Sequence, residues 1–303
     1  MSSNTYLRRT CPLCGSNATR EEVHSGKRAE GIPFEGLRPY WSGLFKEKVF
    51  FSYGRCGTCG LLFAPDYFTS DQLGELYADM APNMELVTSD ALSATQRGYW
   101  DAIVKSAELS GGYLEIGPDI GYIVRHAARE GGFDRFWLYE PNIAVHQTLA
   151  AAAGGRPHYI STEMENLSAI PYESVGVAVM VHVLDHLLNP MAMLQRIVAK
   201  LRPGGLLMIV THNEASVLRR AMGTRWPPFC LQHPELYNPR SMTALVRQAG
   251  YASVRVERSR NYFPIAFMIR QAGYAIGLKH DKLPLPEMAI GLKLGNMITL
   301  ATR

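Results

Sequence analysis

A chain of 303 residues with 47% hydrophobic content can bury one large core and a small satellite module. Its 31 Lys and Arg against 27 Asp and Glu leave a net +4, too little for a phosphate-tracking stripe, which argues against a nucleic-acid partner. No apolar run approaches the ~20 residues of a membrane span, and the polar stretch before Cys11 carries Arg8 and Arg9 rather than anything like a signal peptide, so a cytoplasmic protein is expected.

Two Cys-x-x-Cys knuckles open the chain, Cys11-Pro-Leu-Cys14-Gly and Cys56-Gly-Thr-Cys59-Gly. Four thiolates from two such turns can surround Zn²⁺ tetrahedrally, and the following glycines let amides point at the sulfurs. Two disulfides or four reduced thiols are the alternatives; a reducing compartment disfavours disulfides. A fully thiolate-ligated zinc has no open position, so its expected role is structural, folding a module over 1–70. Between the knuckles lie Phe34, Tyr40, Trp41 and Phe45 among Gly and Pro. Thr69-Ser-Asp-Gln72 reads as a capping box that opens a helix through Leu76 and Tyr77, the start of a helical linker over 71–110.

From Gly112 the pattern changes. Gly112-Tyr-Leu-Glu-Ile-Gly-Pro-Asp-Ile-Gly121 reads as a buried strand, a glycine turn and a helix start; a second strand, Phe136–Tyr139, ends on Glu140. Gly117 and Gly121 let backbone approach a ligand, and an acid at the tip of the second strand can accept from a ribose diol. A dinucleotide fingerprint would read Gly-x-Gly-x-x-Gly and face a pyrophosphate. Here Glu115 ends the first strand and Asp119 lies in the loop, carboxylates that suit an ammonium instead, so S-adenosylmethionine fits better. Asn142 can cap a helix to about Ala152; His158–Ser161, Val175–Val181 and Leu206–Val210 read as strands; Asn189-Pro190 starts a helix. Tyr262–Leu278 reads as an amphipathic helix covering the site, within a helical insertion near 263–290, and Gly295–Thr302 as a final antiparallel strand at the sheet's edge. Strands alternating with helices imply an α/β, doubly wound, Rossmann-like sheet over 111–303.

Residues 111–255 resemble the class I S-adenosylmethionine-dependent methyltransferases. The resemblance rests on Leu-Glu-Ile-Gly-Pro-Asp-Ile-Gly, Tyr-Glu-Pro-Asn (139–142), Val-His-Val-Leu-Asp-His-Leu-Leu-Asn-Pro (181–190) and Leu-Arg-Pro-Gly-Gly (201–205). With its knuckles the chain is similar to bacterial surface-polysaccharide and secondary-metabolite methyltransferases and, more distantly, to zinc-containing nucleotide-sugar C-methyltransferases. The resemblance implies that Glu115, Gly117, Gly121 and Glu140 bind the cofactor, with Glu163 at the adenine amino group, Met164 offering its backbone N–H to the ring, and the His182 backbone at the methionine end. It also implies Tyr77 over the site. Loop solvation by Glu163 and plain helix packing by Tyr77 remain the alternatives.

For catalysis the resemblance points to Asp185, His186 and His233. Methyl transfer from a sulfonium is an in-line displacement, which needs a positioned acceptor and a base. His186 can take a hydroxyl proton, and a structural role is its alternative. In some relatives an acid–histidine pair helps hold a divalent metal, here Asp185–His186 with Mg²⁺. The C-methyltransferases carry a glutamate where this chain has Gln232; losing that carboxylate favours oxygen as acceptor. The expected protein is an O-methyltransferase acting on a small-molecule or carbohydrate hydroxyl in a biosynthetic pathway. A nucleotide-sugar C-methyltransferase and a non-catalytic binding protein are the alternatives. A lipid-linked sugar acceptor leaves room for a peripheral membrane contact.

Overall fold

The computed structural model describes residues 6–41, 48–78, 89–265, 269 and 288–303. Its centre is a seven-stranded sheet. The strands are β1 (Ser110–Ile116), β2 (Gly132–Tyr139), β3 (His158–Ser161), β4 (Val175–Val181), β5 (Leu201–His212), β6 (Ser253–Arg258) and β7 (Asn296–Thr302). They lie in the order β3-β2-β1-β4-β5-β7-β6. The first five are mutually parallel, and β7 runs antiparallel to both of its neighbours. The final strand was expected at the edge. It lies one place inside, because β6 pairs along its outer side from Ser253↔Thr302 to Arg258↔Met297.

Alternation along the strands divides the core into two layers. In β4, Val175, Ala178 and Met180 face one cluster while Val177 and Val179 face the other. The helices of seven residues or more among the described residues are α1 (Ser70–Ala78), α2 (Ser89–Val104), α3 (Tyr122–Glu130), α4 (His146–Ala152), α5 (Pro190–Lys200) and α6 (Pro239–Gln248). Met193, Leu194 and Ile197 of α5 and Met242, Leu245 and Val246 of α6 fill the first layer. Tyr99, Trp100 and Ile103 of α2 and the apolar face of α3 fill the second. Both faces are covered, which is why the parallel strands read as continuous apolar runs.

Local signals act largely as written. Thr69 N–H donates to Gln72 Oε1 at 2.9 Å and Gln72 N–H to Thr69 Oγ1 at 3.3 Å, so the capping box forms. Asn142 Oδ1 accepts from Ala144 N–H and caps a short turn that leads into α4. Asn189 stands at the head of α5 but makes no side-chain cap; Pro190 alone sets that start. The helix expected over 262–278 begins as a strand, Asn261–Pro264, paired antiparallel with Ala289–Leu292; most of the remainder, like Phe45, lies outside the described residues.

The amino-terminal module has its own antiparallel sheet, Thr19–Val23, Tyr53–Cys56 and Leu62–Phe63, but its fourth strand is Glu235–Leu236. Residue 70 is therefore not a boundary in packing. Arg9 and Glu235, both buried, pair at 2.8 Å, and Arg9 also donates to the carbonyls of Leu188 and Pro234. Of the aromatics between the knuckles, Trp41 packs edge-on to Phe68 and Tyr77, and Phe34 to Phe68.

Candidate active site

The carboxyl ends of β1, β2, β4 and β5 open on one crevice of about 390 Å³, within the ~300–1,000 Å³ usual for small-molecule sites. Glu115 and Glu140 line one part; His182, His186, His212 and His233 line another, with Tyr77, Gln96 and Met164 contributing from other elements.

At the glutamate end the loop after β1 is tightly specified. Gly117 has φ 67°, and a Cβ there would lie 2.6 Å from Val183 Cγ2. Gly121, at φ 76°, begins α3, and a Cβ would lie 2.8 Å from that of Ala152. Gly121 does not line the crevice; helix packing and positive φ explain it, not ligand approach. Asp119 also takes a left-handed conformation, φ 51°, which Asp tolerates better than most residues. Glu140 organises this loop: one oxygen accepts from Asp119 N–H and the other from Asn142 N–H, each at 2.9 Å. Burial raises its pKa against those two bonds. Glu115 accepts from Tyr113 Oη at 2.5 Å, and burial pushes its pKa up to about 8. Glu163 is not brought into the crevice; it is exposed and accepts from Asn166 Nδ2.

At the histidine end, register does the positioning. Val181 pairs with Val210, so His182 leaves the end of β4 beside the last residues of β5, which still pair with β7. His182 turns out at φ 53° with its N–H bonded to Val210 O at 2.9 Å; His212 ends β5 opposite Asn296 of β7. Ring centroids of His182 and His212 lie 4.6 Å apart, His212 and His233 5.0 Å, His186 and His233 4.7 Å. His186 Nδ1 is 3.1 Å from Tyr77 Oη. Asp185 is fully buried beneath this group and accepts from His212 N–H. His233 Nδ1 lies 2.7 Å from the Pro228 carbonyl and 3.1 Å from Cys230 Sγ.

Charge is unevenly distributed here. Burial, then the neighbouring imidazoles, hold His186 well below the ordinary value. His182 and His212 fall to about 3, burial first and neighbouring histidines next. Burial would depress His233 too, but Cys230 lifts it to about 9, with help from Asp185 and Pro228. His212 was not singled out in the sequence. Reading β5 to its end would have found it, since its strand-end position matches that of His182.

Cys11, Cys14, Cys56 and Cys59 form a separate cluster, none in a disulfide. Cys11 and Cys59 sulfurs are 3.4 Å apart, Cys14 and Cys56 3.5 Å, and all four lie within 4.8 Å of one another. The two turns match: Gly15 N–H bonds Cys11 O, Gly60 N–H bonds Cys56 O, and both glycines have positive φ. This donor set fits a tetrathiolate zinc. Among the described residues no helix is long and apolar enough to cross a membrane.

A family model described as a methyltransferase domain matches residues 93–256. Among solved structures, a SAM-dependent methyltransferase from Archaeoglobus fulgidus is 16% identical, with 71% of this chain and 95% of that one covered at a TM-score of 0.49. One from Thermotoga maritima is 17% identical, with 70% and 89% covered at 0.47. A phosphoethanolamine N-methyltransferase from Haemonchus contortus, in complex with S-adenosyl-L-methionine, is 16% identical, with 67% and 52% covered at 0.44. Comparison with curated proteins gives no match. The family match spans more than half of the chain and takes in β1 to β5 with the whole glutamate-lined loop, and on that ground the chain belongs to the methyltransferase-domain family and is an S-adenosylmethionine-dependent methyltransferase.

Proposed function

We propose that the protein moves the methyl group of S-adenosylmethionine to a hydroxyl of a small-molecule or carbohydrate acceptor. The observation that carries this reading is the single crevice shared by two acid-ended strands and two histidines suited to an acceptor oxygen. Glu140 takes the ribose diol, Glu115 faces the methionine ammonium, and the His182 backbone borders the methionine end. His186 is the base. When its Nδ1–H donates to Tyr77 Oη, the Nε2 lone pair is free to take the hydroxyl proton. The acceptor oxygen then attacks the methyl carbon as the carbon–sulfur bond breaks toward sulfur. His233 is less suited as base, because its Nδ1 is engaged by Pro228 and Cys230 and its proton is held; it orients the acceptor. Gln232 in place of a carboxylate supports oxygen over carbon as acceptor.

Cys11, Cys14, Cys56 and Cys59 hold a structural zinc in this reading, and zinc supplies no catalysis there. Incubation with methyl-labelled S-adenosylmethionine and a panel of nucleotide-sugars and hydroxylated intermediates, read by mass spectrometry, tests the function. A labelled product with the methyl on oxygen supports it. A carbon- or nitrogen-bound methyl overturns the acceptor assignment. Metal analysis giving about one zinc per chain, lost with Cys14→Ser, tests the module.

A further inference from the structure

His186 and His233 stand on two separate segments, the turn after β4 and the chain between β5 and α6, and their ring centroids lie 4.7 Å apart. One side chain of the amino-terminal module spans both segments. The Arg9 guanidinium donates from Nη2 to the Leu188 carbonyl at 3.2 Å, two residues beyond His186. From Nη1 it donates to the carbonyl of Pro234, the neighbour of His233, at 3.3 Å. Glu235 Oε2 accepts from the same Nη2 at 2.8 Å and balances the charge. The Arg9 and Glu235 side chains are 4% and 0% exposed, so this is a buried, charge-assisted fork and not a surface ion pair. Arg9 is itself anchored, its backbone N–H bonded to Pro65 O at 2.7 Å. Two more side chains of the module hold the same loop. Tyr53 Oη donates to the His233 carbonyl at 2.6 Å and Tyr67 Oη to the Leu231 carbonyl at 2.5 Å, both residues being buried.

We propose that Arg9 is a positioning residue of the crevice, a clamp on the two segments that bear His186 and His233, which sets how those rings stand to one another. The inference rests on the methyl-transfer reading for the roles of the two rings. A stabilising ion pair would not need this arrangement, because apolar residues of similar volume often replace a buried pair without loss. What they cannot replace is the fork, whose donors leave one rigid plane toward two carbonyls and a carboxylate. The clamp acts on the histidine end alone. Glu115 and Glu140 take their bonds from Tyr113, Asp119 and Asn142, within the methyltransferase sheet and its loops. The amino-terminal module thus contributes to the acceptor side of the site through its side chains, without lending a group to the reaction.

The test compares imidazole nitrogen NMR spectra of the whole chain and its variants, with S-adenosylmethionine affinity and metal content measured on the same samples. His186→Gln and His233→Gln samples assign the two rings. Arg9→Met combined with Glu235→Leu removes the fork without leaving a lone buried charge. It should displace the His186 and His233 signals while metal content stays at the wild-type level. Affinity for S-adenosylmethionine should stay within about twofold, since distant sites without shared partners couple weakly. Arg9→Lys keeps a charge opposite Glu235 but offers a point donor in place of the fork, and should displace the same signals; it decides where the double variant does not fold. Arg8→Met removes only the exposed pair with Asp66 and should leave both rings unmoved. Unmoved His186 and His233 signals in a folded Arg9 variant overturn the clamp. So does equal displacement in Arg8→Met, or displacement seen only with metal loss or with a larger loss of S-adenosylmethionine affinity. The ring measurement needs no acceptor. Displaced rings in a protein that methylates no hydroxyl keep the clamp and remove the methyl-transfer reading; unmoved rings with intact O-methylation remove the clamp alone.

Discussion

The two ends of the crevice desolvate their ionisable groups alike and reach opposite ends. At the glutamate end, burial holds Glu115 at about 8 and raises Glu140, so part of the anionic charge is suppressed until a cation arrives. At the histidine end, burial and mutual repulsion keep His182, His186 and His212 neutral, while the Cys230 pairing makes His233 the exception. The first end gains charge when a cationic ligand arrives, whereas the second keeps those three imidazoles unprotonated, with lone pairs available, at neutral pH. Desolvation alone does not decide function; the charge that the missing partner carries does.

The sharpest way to break this division is at His186. His186→Ala should lower kcat by ~10²–10⁴-fold and leave S-adenosylmethionine affinity nearly intact; single-turnover rates and calorimetric titration check both. Near-normal turnover in a folded variant would move the base to His233 or to the solvent. Next is Glu140→Gln, which places an NH₂ group against one of the two amides that Glu140 now accepts. Affinity for S-adenosylmethionine should fall by ~1–3 kcal/mol, or about 5- to 150-fold. A change seen only in kcat would blur the two ends.

A smaller effect is expected at Tyr77, which joins α1 to the histidine end. Tyr77→Phe removes the partner of His186 Nδ1 and frees the other tautomer, so kcat should drop by about tenfold, one unit of 1.4 kcal/mol, with cofactor affinity unchanged. The smallest signal is a proton count. Glu115 is mostly protonated at pH 7 and ionises when the methionine ammonium binds, so binding should release up to one proton. Calorimetric enthalpies in buffers of different ionisation heat report this. The release should shrink as pH rises through about 8 and vanish in Glu115→Gln. The sign for stability is consistent: Glu115 keeps its proton when folded, so its contribution is complete below the ordinary carboxylate range and is lost as pH rises toward about 8.

How much of this could be read in the sequence follows from how local each signal is. The parallel strands and the Glu115–Gly121 turn are legible because period, burial and turn chemistry are written within a few residues of one another. The capping box at Thr69 is equally local. The inner place of β7 was not legible, because it depends on β6, whose exposed, charged sequence Ser-Val-Arg-Val-Glu-Arg carries little apolar pattern. Three of the four clustered histidines were legible: His182, for its backbone, and His186 and His233 came through resemblance, but His212 joins them only through the β4–β5 register and Asn296. Glu163 shows the reverse error: proximity in a motif did not bring it to the crevice.

The fourth strand of the amino-terminal sheet, Glu235–Leu236, carries a consequence for biogenesis. All four knuckle cysteines have been synthesised once Cys59 is joined, yet the strand that closes their sheet follows about 175 residues later. At ~5–20 residues per second, that is a wait of roughly ten to thirty seconds on the ribosome. During that interval the edge Leu62–Phe63 and the buried Arg9 have neither strand nor carboxylate to meet. Metal capture by the knuckles can precede closure, but the module reaches its final form only with the histidine end of the crevice, since Glu235 lies two residues beyond His233. Completion of the amino-terminal sheet and of the histidine end therefore depends on the same late segment of the chain.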